Sequence, residues 1–266
     1  MLKFYNKVII IIKKDNLYDD DASESGSGWI SWFCDLEGHE FFIEVDEDYI
    51  RDNFNLHGLK ERIQYFNEAM QMILSADNPD SEDLNDQNFL EIYQSAMDLY
   101  GLIHARFIIS PRGLAMMKEK YMLGSFGYCP RVLCERQNIL PIGVSEELST
   151  SRVKVYCPRC QDVYIPRQKQ LDIDGAYFGT SFPHIFLKVL KINLKHLIQT
   201  YTELIPQGPP KFIPKIYGFK IFGMRGSKYE LKFDFKGQPV NEEEIRNVLK
   251  KDKKSNKRDE EEKMNI

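Results

Sequence analysis

No apolar stretch near the start of this 266-residue chain approaches the roughly 20 residues needed to cross a bilayer. Val8–Ile12 is bracketed by Lys7 and Lys13 and is followed by no small-residue cleavage site of the secretory kind. The expectation is a soluble, intracellular protein, where thiols stay reduced and grouped cysteines hold metal more often than they form disulfides. Positive charge is almost missing from one half: between Asp15 and Tyr100 there are 3 Lys and Arg against 22 Asp and Glu. So acidic a block is a poor surface for nucleic acid phosphates. It suits either a solvated helical face or a field that attracts polyamines and basic peptides. Histidine is scarce too, with five in all and none between the two cysteine pairs, so the eight ligands of a RING-type double site are not available.

What is present falls into segments. The first 28 residues lack sustained periodicity and read as a mostly disordered acidic arm, with Val8–Ile12 as its one strand-like piece. Trp29, Ile30, Trp32 and Phe33 then open a dense apolar region. Leu56, Leu59, Ile63, Phe66, Met70, Ile73 and Leu74 recur three and four apart, which predicts an amphipathic helix. After the acidic loop from Ala76 to Asp86, the residues Phe89, Ile92, Tyr93, Ala96, Met97, Tyr100, Ile103 and His104 repeat that period. Ser110 and Pro111 predict an N-cap and first-turn proline for another helix that ends at Gly124. Beyond Gly124 short β-prone runs replace the helical signal, Val153–Tyr156 and Val163–Ile165. A further helix is expected from Pro183 through Ile198, then a proline-rich stretch and a mixed-charge tail. The fold class is α+β: an all-helical domain at 29–124, a small β domain at 125–181, a C-terminal segment at 182–224 and a variable charged tail at 225–266.

Four of the five cysteines form two pairs, Cys129-Pro-Arg-Val-Leu-Cys134 and Cys157-Pro-Arg-Cys160, separated by 22 residues. Each pair turns tightly enough to aim two thiolates at one point, and zinc takes four such ligands in a tetrahedron. A β module of this size has too small a core to fold securely alone, so one structural zinc per chain is the expectation. A redox Cys-x-x-Cys needs one pair in a βαβ setting, not two pairs around a strand-rich insert. Cys34 lies five residues before His39 and raises the question of a nucleophile and base. Among Trp32, Phe33, Phe41 and Phe42 it reads instead as a buried small hydrophobe. His104 reads as a packed or hydrogen-bonded helix residue, not a ligand.

At these residues the sequence resembles the regulatory beta subunits of casein kinase II. The resemblance is carried by Trp29-Ile-Ser-Trp-Phe-Cys34, Glu44-Val-Asp-Glu-Asp-Tyr-Ile50, Leu99-Tyr-Gly-Leu-Ile-His-Ala-Arg106, Gly127-Tyr-Cys-Pro-Arg-Val132, Asp174-Gly-Ala-Tyr-Phe-Gly179, Phe182-Pro-His184 and Tyr217-Gly-Phe-Lys220. It implies a zinc-ribbon-like domain that mediates homodimerisation and a C-terminal segment that docks a kinase catalytic subunit, giving a tetramer of two regulatory and two catalytic chains. It implies no catalytic residues, with effects on kinase stability and substrate choice, in the cytoplasm and nucleus. The residues agree, since there is no Gly-rich loop ahead of a Val-Ala-Ile-Lys strand and no His-Arg-Asp loop. Asp234-Phe235-Lys236-Gly237 echoes a magnesium-binding Asp-Phe-Gly only on the surface.

By the same resemblance Tyr217 and Phe219 are the expected anchors for the catalytic subunit, with Ile185 in support. An extended chain places both rings on one face about Gly218, while Gly218 leaves room for a turn if the segment is a hairpin instead. Asp77, Asp80, Glu82, Asp83 and Asp86 are the candidate acidic loop for polyamines or basic substrates, and Ser23 and Ser25 are candidate phosphorylation sites. Residues 1–27, Lys188–Lys211 and the chain after Phe222 depart from the family pattern. A different class of function, a zinc-ribbon module that binds nucleic acid, rests on Arg131, Arg136, Arg152, Lys154 and Arg159 near the cysteines.

Overall fold

The computed structural model describes residues 28–79, 83, 86–166, 172–194, 208–227 and 229–250. The expectations for the first 27 residues, for Ser23, Ser25, Asp80 and Glu82, for helix beyond Leu194, and for the tail after Lys250 lie outside the described residues. Two compact units divide between Pro209 and Pro210.

In the first unit, helix α1 (Gly28–Asp35) buries Trp29 and Phe33, one turn apart, with their rings stacked at a centroid distance of 4.7 Å. The short α2 (Glu47–Arg51) follows. The helix expected from Leu56 to Leu74 is only half there, since α3 spans Phe66–Ile73 and residues 53–62 form successive turns. The N–H groups of Asn55, Leu59 and Arg62 reach back three residues to Asp52, Leu56 and Leu59. Gly58 sits at φ 73, a left-handed conformation that interrupts an α-helix. Chained three-residue turns still return Leu59 and Ile63 to the core, so their spacing looks helical in the sequence.

Helix α4 (Gln87–Phe107) is the spine of the unit. Helix α5 (Pro111–Leu123) is capped as its sequence predicts: the Ser110 side chain accepts from the Gly113 N–H at 3.1 Å, and Gly124 closes it at φ 74. Gly101 of α4 is there for contact, because a Cβ at that position would lie 2.1 Å from the Tyr177 ring. Its absence lets a 3₁₀ turn at Gly175–Tyr177 lie directly on the spine.

Two buried polar groups of α4 hold the neighbouring loops. His104 Nε2 accepts from the Ile43 N–H at 3.3 Å, which leaves Nδ1–H to donate to the Tyr177 carbonyl at 2.8 Å. Burial drops its pKa to about 4, so it stands as a neutral structural hydrogen-bonder, as expected. Tyr100 donates to the Ile43 carbonyl and accepts from the Val45 N–H.

Strands β1 (Leu140–Ile142), β2 (Lys154–Cys157) and β3 (Asp162–Tyr164) form an antiparallel sheet in that order, with Leu140 opposite Tyr156 and Tyr156 opposite Val163. The second and third were predicted within one residue. The first was not, because Pro141 reads as a strand breaker; on an edge strand its missing N–H costs no ladder bond. Helix α6 (Phe182–Leu194) packs Phe182, Phe186 and Leu190 inward at intervals of four. One apolar core runs from Trp29 through the sheet to Leu190.

The second unit holds a hairpin, β4 (Lys215–Ile216) with β5 (Phe219–Lys220), and a second turnback around 234–237. There the Gly237 N–H bonds to the Asp234 carbonyl and the Val240 N–H to the Lys232 carbonyl. Helical residues 242–250 follow.

Candidate metal centre

Both cysteine pairs sit where the chain must reverse. Cys129 precedes and Cys134 ends a 3₁₀ turn at Val132–Cys134, after which Glu135 and Arg136 take φ values of 52 and 58. The return is sealed by the Cys129 N–H on the Gln137 carbonyl at 2.8 Å. Cys157 ends β2 opposite Asp162 of β3, so Cys157-Pro-Arg-Cys160 is the bend between the two strands. There the backbone N–H groups of Arg159 and Cys160 point at the Cys157 sulfur.

The four sulfurs converge as the spacing predicts. All Sγ atoms lie within 4.8 Å of one another, and Cys129 and Cys160 are 3.9 Å apart. Four thiolates about 2.3 Å from one zinc ion stand about 3.8 Å from each other. The donor set therefore fits a tetrahedral metal, zinc included. Cys129, Cys134 and Cys157 are buried and Cys160 is half-buried.

The electrostatics point the same way. Burial, with neighbouring thiols, pushes Cys134 up to about 11 and Cys157 higher still. Burial opposes ionisation of Cys160 as well, but hydrogen bonds from the Tyr164 hydroxyl and from Cys157 and Cys134 outweigh it and hold that thiol below its ordinary value. A buried cluster that resists ionisation alone is one that a divalent cation converts to thiolates.

Sequence reasoning missed what surrounds the cluster. The Tyr164 hydroxyl lies 3.2 Å from Cys160 Sγ. Arg159 of the second pair donates to the Cys134 carbonyl of the first at 3.1 Å and to Glu135 at 2.8 Å, tying the two bends together. Its place inside Cys-Pro-Arg-Cys was the available signal. Arg152 pairs with Asp172 at 2.7 Å, and the Arg136 guanidinium lies 4.6 Å from the Tyr128 ring centroid. Three of the five cations counted toward a nucleic-acid face are thus engaged within the protein.

The Cys34 and His39 pair is not a nucleophile and base. Cys34 is half-buried, its thiol lies 3.4 Å from the Tyr100 hydroxyl, and burial pushes it up to about 12. His39 Nδ1 meets the Phe33 carbonyl at 2.6 Å, and burial drops the ring to about 4.

Of the two arrangements that the sequence allows for Tyr217 and Phe219, an extended strand or a hairpin at Gly218, the structure adopts the hairpin. Ile216 pairs with Phe219, and Tyr217 and Gly218 form the two-residue loop at φ 49 and 86. Positive φ at both loop positions matches the right-handed twist of the flanking strands, and Gly218 adopts it without steric cost. Tyr217, at the tip, is 97% exposed and Phe219 79%. Ile185 is half-buried on α6, in the other unit. Of the acidic loop, Asp86 caps α4 by accepting from the Asn88 N–H at 3.0 Å, and the Asp77 N–H bonds to Ser75 Oγ.

A four-thiol cluster is the one group of metal-ligating side chains among the described residues. Four thiols leave no coordination position open for water, so a metal held there would serve structure and not catalysis, and the cluster defines a candidate structural metal site of the four-cysteine class. The family described as casein kinase II regulatory subunit matches residues 28–220. Over 205 residues the chain is 48% identical to casein kinase II subunit beta of Dictyostelium discoideum, covering 76% of this chain and 72% of that one. The subunit beta of Schizosaccharomyces pombe is 46% identical over 209 residues, covering 77% and 84%. The subunit beta' of Drosophila melanogaster is 44% identical over 202 residues, covering 76% and 86%. The chain belongs to the casein kinase II regulatory subunit family, whose members are non-catalytic.

Proposed function

We propose that this protein forms a homodimer through a zinc-ribbon-like module and docks two catalytic chains of a Ser/Thr kinase of the casein kinase II type, tuning their stability and substrate choice in cytoplasm and nucleus. Zinc, held by Cys129, Cys134, Cys157 and Cys160, supplies a structural cross-link between the two cysteine bends. Arg159 and Tyr164 orient and satisfy the ligands around it. Tyr217 and Phe219 anchor the catalytic chain, with Ile185 in support, and the acidic loop draws polyamines or basic substrates toward the complex.

The observation that carries the docking part is the β4–β5 hairpin. It lies at the end of the family-matched region, residues 28–220, and holds two large aromatic side chains almost wholly in solvent. Large rings whose apolar surface is left in water are typical interface anchors. Native mass spectrometry of the purified chain, alone and with a casein kinase II catalytic chain, tests the whole reading. The expected spectra show one zinc per chain, a dimer alone, and a two-plus-two tetramer on mixing. A zinc-free monomer that ignores the kinase would overturn it.

A further inference from the structure

The family match ends at residue 220, yet the exposed aromatic pattern continues. Residues 232–240 fold back as a second hairpin. Asp234 Oδ1 accepts the N–H groups of Lys236 and Gln238, Gly237 turns at φ 79, and the Asp234 N–H meets the Gln238 carbonyl. Like the first hairpin, it carries an aromatic at its tip. Phe235 is 93% exposed, and Phe233 beside it is 59% exposed. Lys232 and Lys236 flank the pair, as Lys215 and Lys220 flank the first.

This unit has little interior of its own. Among its described residues Ile245 alone is a buried hydrophobic, while Ile216, Phe222, Met224 and Val240 are each at least half exposed. A segment of this size with so little buried apolar area is only marginally stable by itself. Its surface mixes aliphatic with aromatic side chains, which suits a protein surface better than single-stranded nucleic acid, where stacking uses rings alone. Over residues 210–239 there are seven Lys and Arg against two Asp and Glu, so the complementary surface is apolar with an acidic rim.

We propose that the 232–240 hairpin, through Phe233 and Phe235, is a second docking arm for the kinase catalytic chain, beside the arm formed by Tyr217 and Phe219. This rests on the docking reading above. Both arms belong to one compact unit, so engagement of the first brings the second to the kinase surface at high effective concentration, where even weak contacts add to affinity.

The test is calorimetric titration of the full-length, zinc-loaded chain with a purified casein kinase II catalytic chain. Phe233→Ala with Phe235→Ala is expected to weaken binding tenfold or more, with the homodimer intact. Lys232→Glu with Lys236→Glu is expected to weaken it less and to lose its effect at high salt. Hydrogen exchange should show the Asp234 and Val240 amides gaining protection on binding. If the Phe pair leaves affinity unchanged while Tyr217→Ala with Phe219→Ala weakens it, the second arm is wrong and the first stands. If neither pair matters, the docking reading falls and takes this inference with it. Loss of the homodimer in the Phe233 and Phe235 variant would assign the hairpin to a second copy and overturn the proposal. If exchange shows the hairpin itself lost in that variant, the lysine variant decides: no salt-dependent change in affinity overturns it.

Discussion

The two compact units treat their aromatic residues in opposite ways. In the first, Trp29, Phe33, Phe42, Tyr100 and Phe178 are buried against one another, and the loops are tied to α4 by His104 and Tyr100. In the second, Tyr217, Phe219, Phe233 and Phe235 face solvent. On the docking reading proposed above, the same chemistry of large apolar rings serves two ends. Where rings are buried they stabilise the fold, typically by about 3–5 kcal/mol each against alanine. Where they are held out on hairpins, their free energy is realised only on binding. The contrast is testable residue by residue, since changes in the first unit should register in unfolding and changes in the second in affinity.

The largest effect is expected at the cysteine cluster. Removing zinc, or Cys157→Ser, leaves buried thiols without their cross-link, and a structural site contributes on the order of 10 kcal/mol in favourable cases. The sheet should lose amide protection in hydrogen exchange first, the helices that share its core should be destabilised with it, and the proposed homodimer should dissociate. A variant with unchanged stability and zinc content would remove the structural role. Next comes the opposite pole of the comparison. Tyr217→Ala with Phe219→Ala should weaken kinase binding by about 4 kcal/mol, near a thousandfold, with non-additivity loosening that figure. Thermal stability and zinc content should not move. A fall in melting temperature comparable to that of a core variant would erase the distinction between the two units.

How much of this was legible beforehand depended on whether the determining interaction was local. The cap at Ser110, the stop at Gly124 and the two cysteine bends are written in neighbouring residues, and all are found where the sequence puts them. The four thiols converge because each bend needs only its own Pro and a short turn. The failures were non-local or ambiguous. Leu56, Leu59 and Ile63 fit a helical period that three-residue turns also satisfy, and only Gly58 hinted otherwise. The Gly101 contact with Tyr177, and the Arg159 bond to the Cys134 carbonyl, join residues far apart in the chain. Ser-x-x-Gly can be read from sequence, whereas a glycine kept small by a ring 76 positions later cannot. At Tyr217 and Phe219 the period-two pattern of a strand competed with the turn chemistry of Gly218, and the turn prevailed.

Within the first unit, pH supplies a smaller probe of the same core. His39 and His104 both fall from 6.5 to about 4 because burial disfavours the imidazolium. Between those values the unfolded chain binds protons that the folded chain does not, so stability is full above about 6.5 and declines as pH falls toward about 4. Each histidine accounts for about 3 kcal/mol of that decline. His104→Gln should flatten the slope of urea-midpoint stability against pH while lowering stability at neutral pH. An unchanged slope would mean that His104 carries none of the acid loss and that its burial does not hold the ring neutral. Smaller again is Gly101→Ala, whose added methyl meets the Tyr177 ring and should cost about 1–3 kcal/mol, partly offset by the helix preference of alanine. A gain in stability would show that the ring can move aside.

The smallest effect belongs to the acidic loop, and it needs care because one of its acids has two roles. Asp86 caps α4 through its bond from the Asn88 N–H, and loss of such a cap costs about 0.5–2 kcal/mol. Replacing all five acids with alanine would therefore mix a weakened helix with a weakened field. Asn keeps the capping oxygen while removing the charge, so the informative variant is Asp77→Asn, Asp80→Asn, Glu82→Gln, Asp83→Asn and Asp86→Asn together. A single surface charge contributes only about 0–1 kcal/mol to any contact, and salt screens it within about 10 Å at 0.1 M. The expected outcome is an unchanged melting temperature, with spermine stimulation of the reconstituted kinase reduced several-fold at low salt and little altered at high salt. Asp86→Ala alone should do the reverse, lowering stability slightly and leaving spermine stimulation near that of the native protein. If the five-fold neutral variant responds to spermine as before at low salt, the field does not recruit polycations, and Asp86 remains there as a cap.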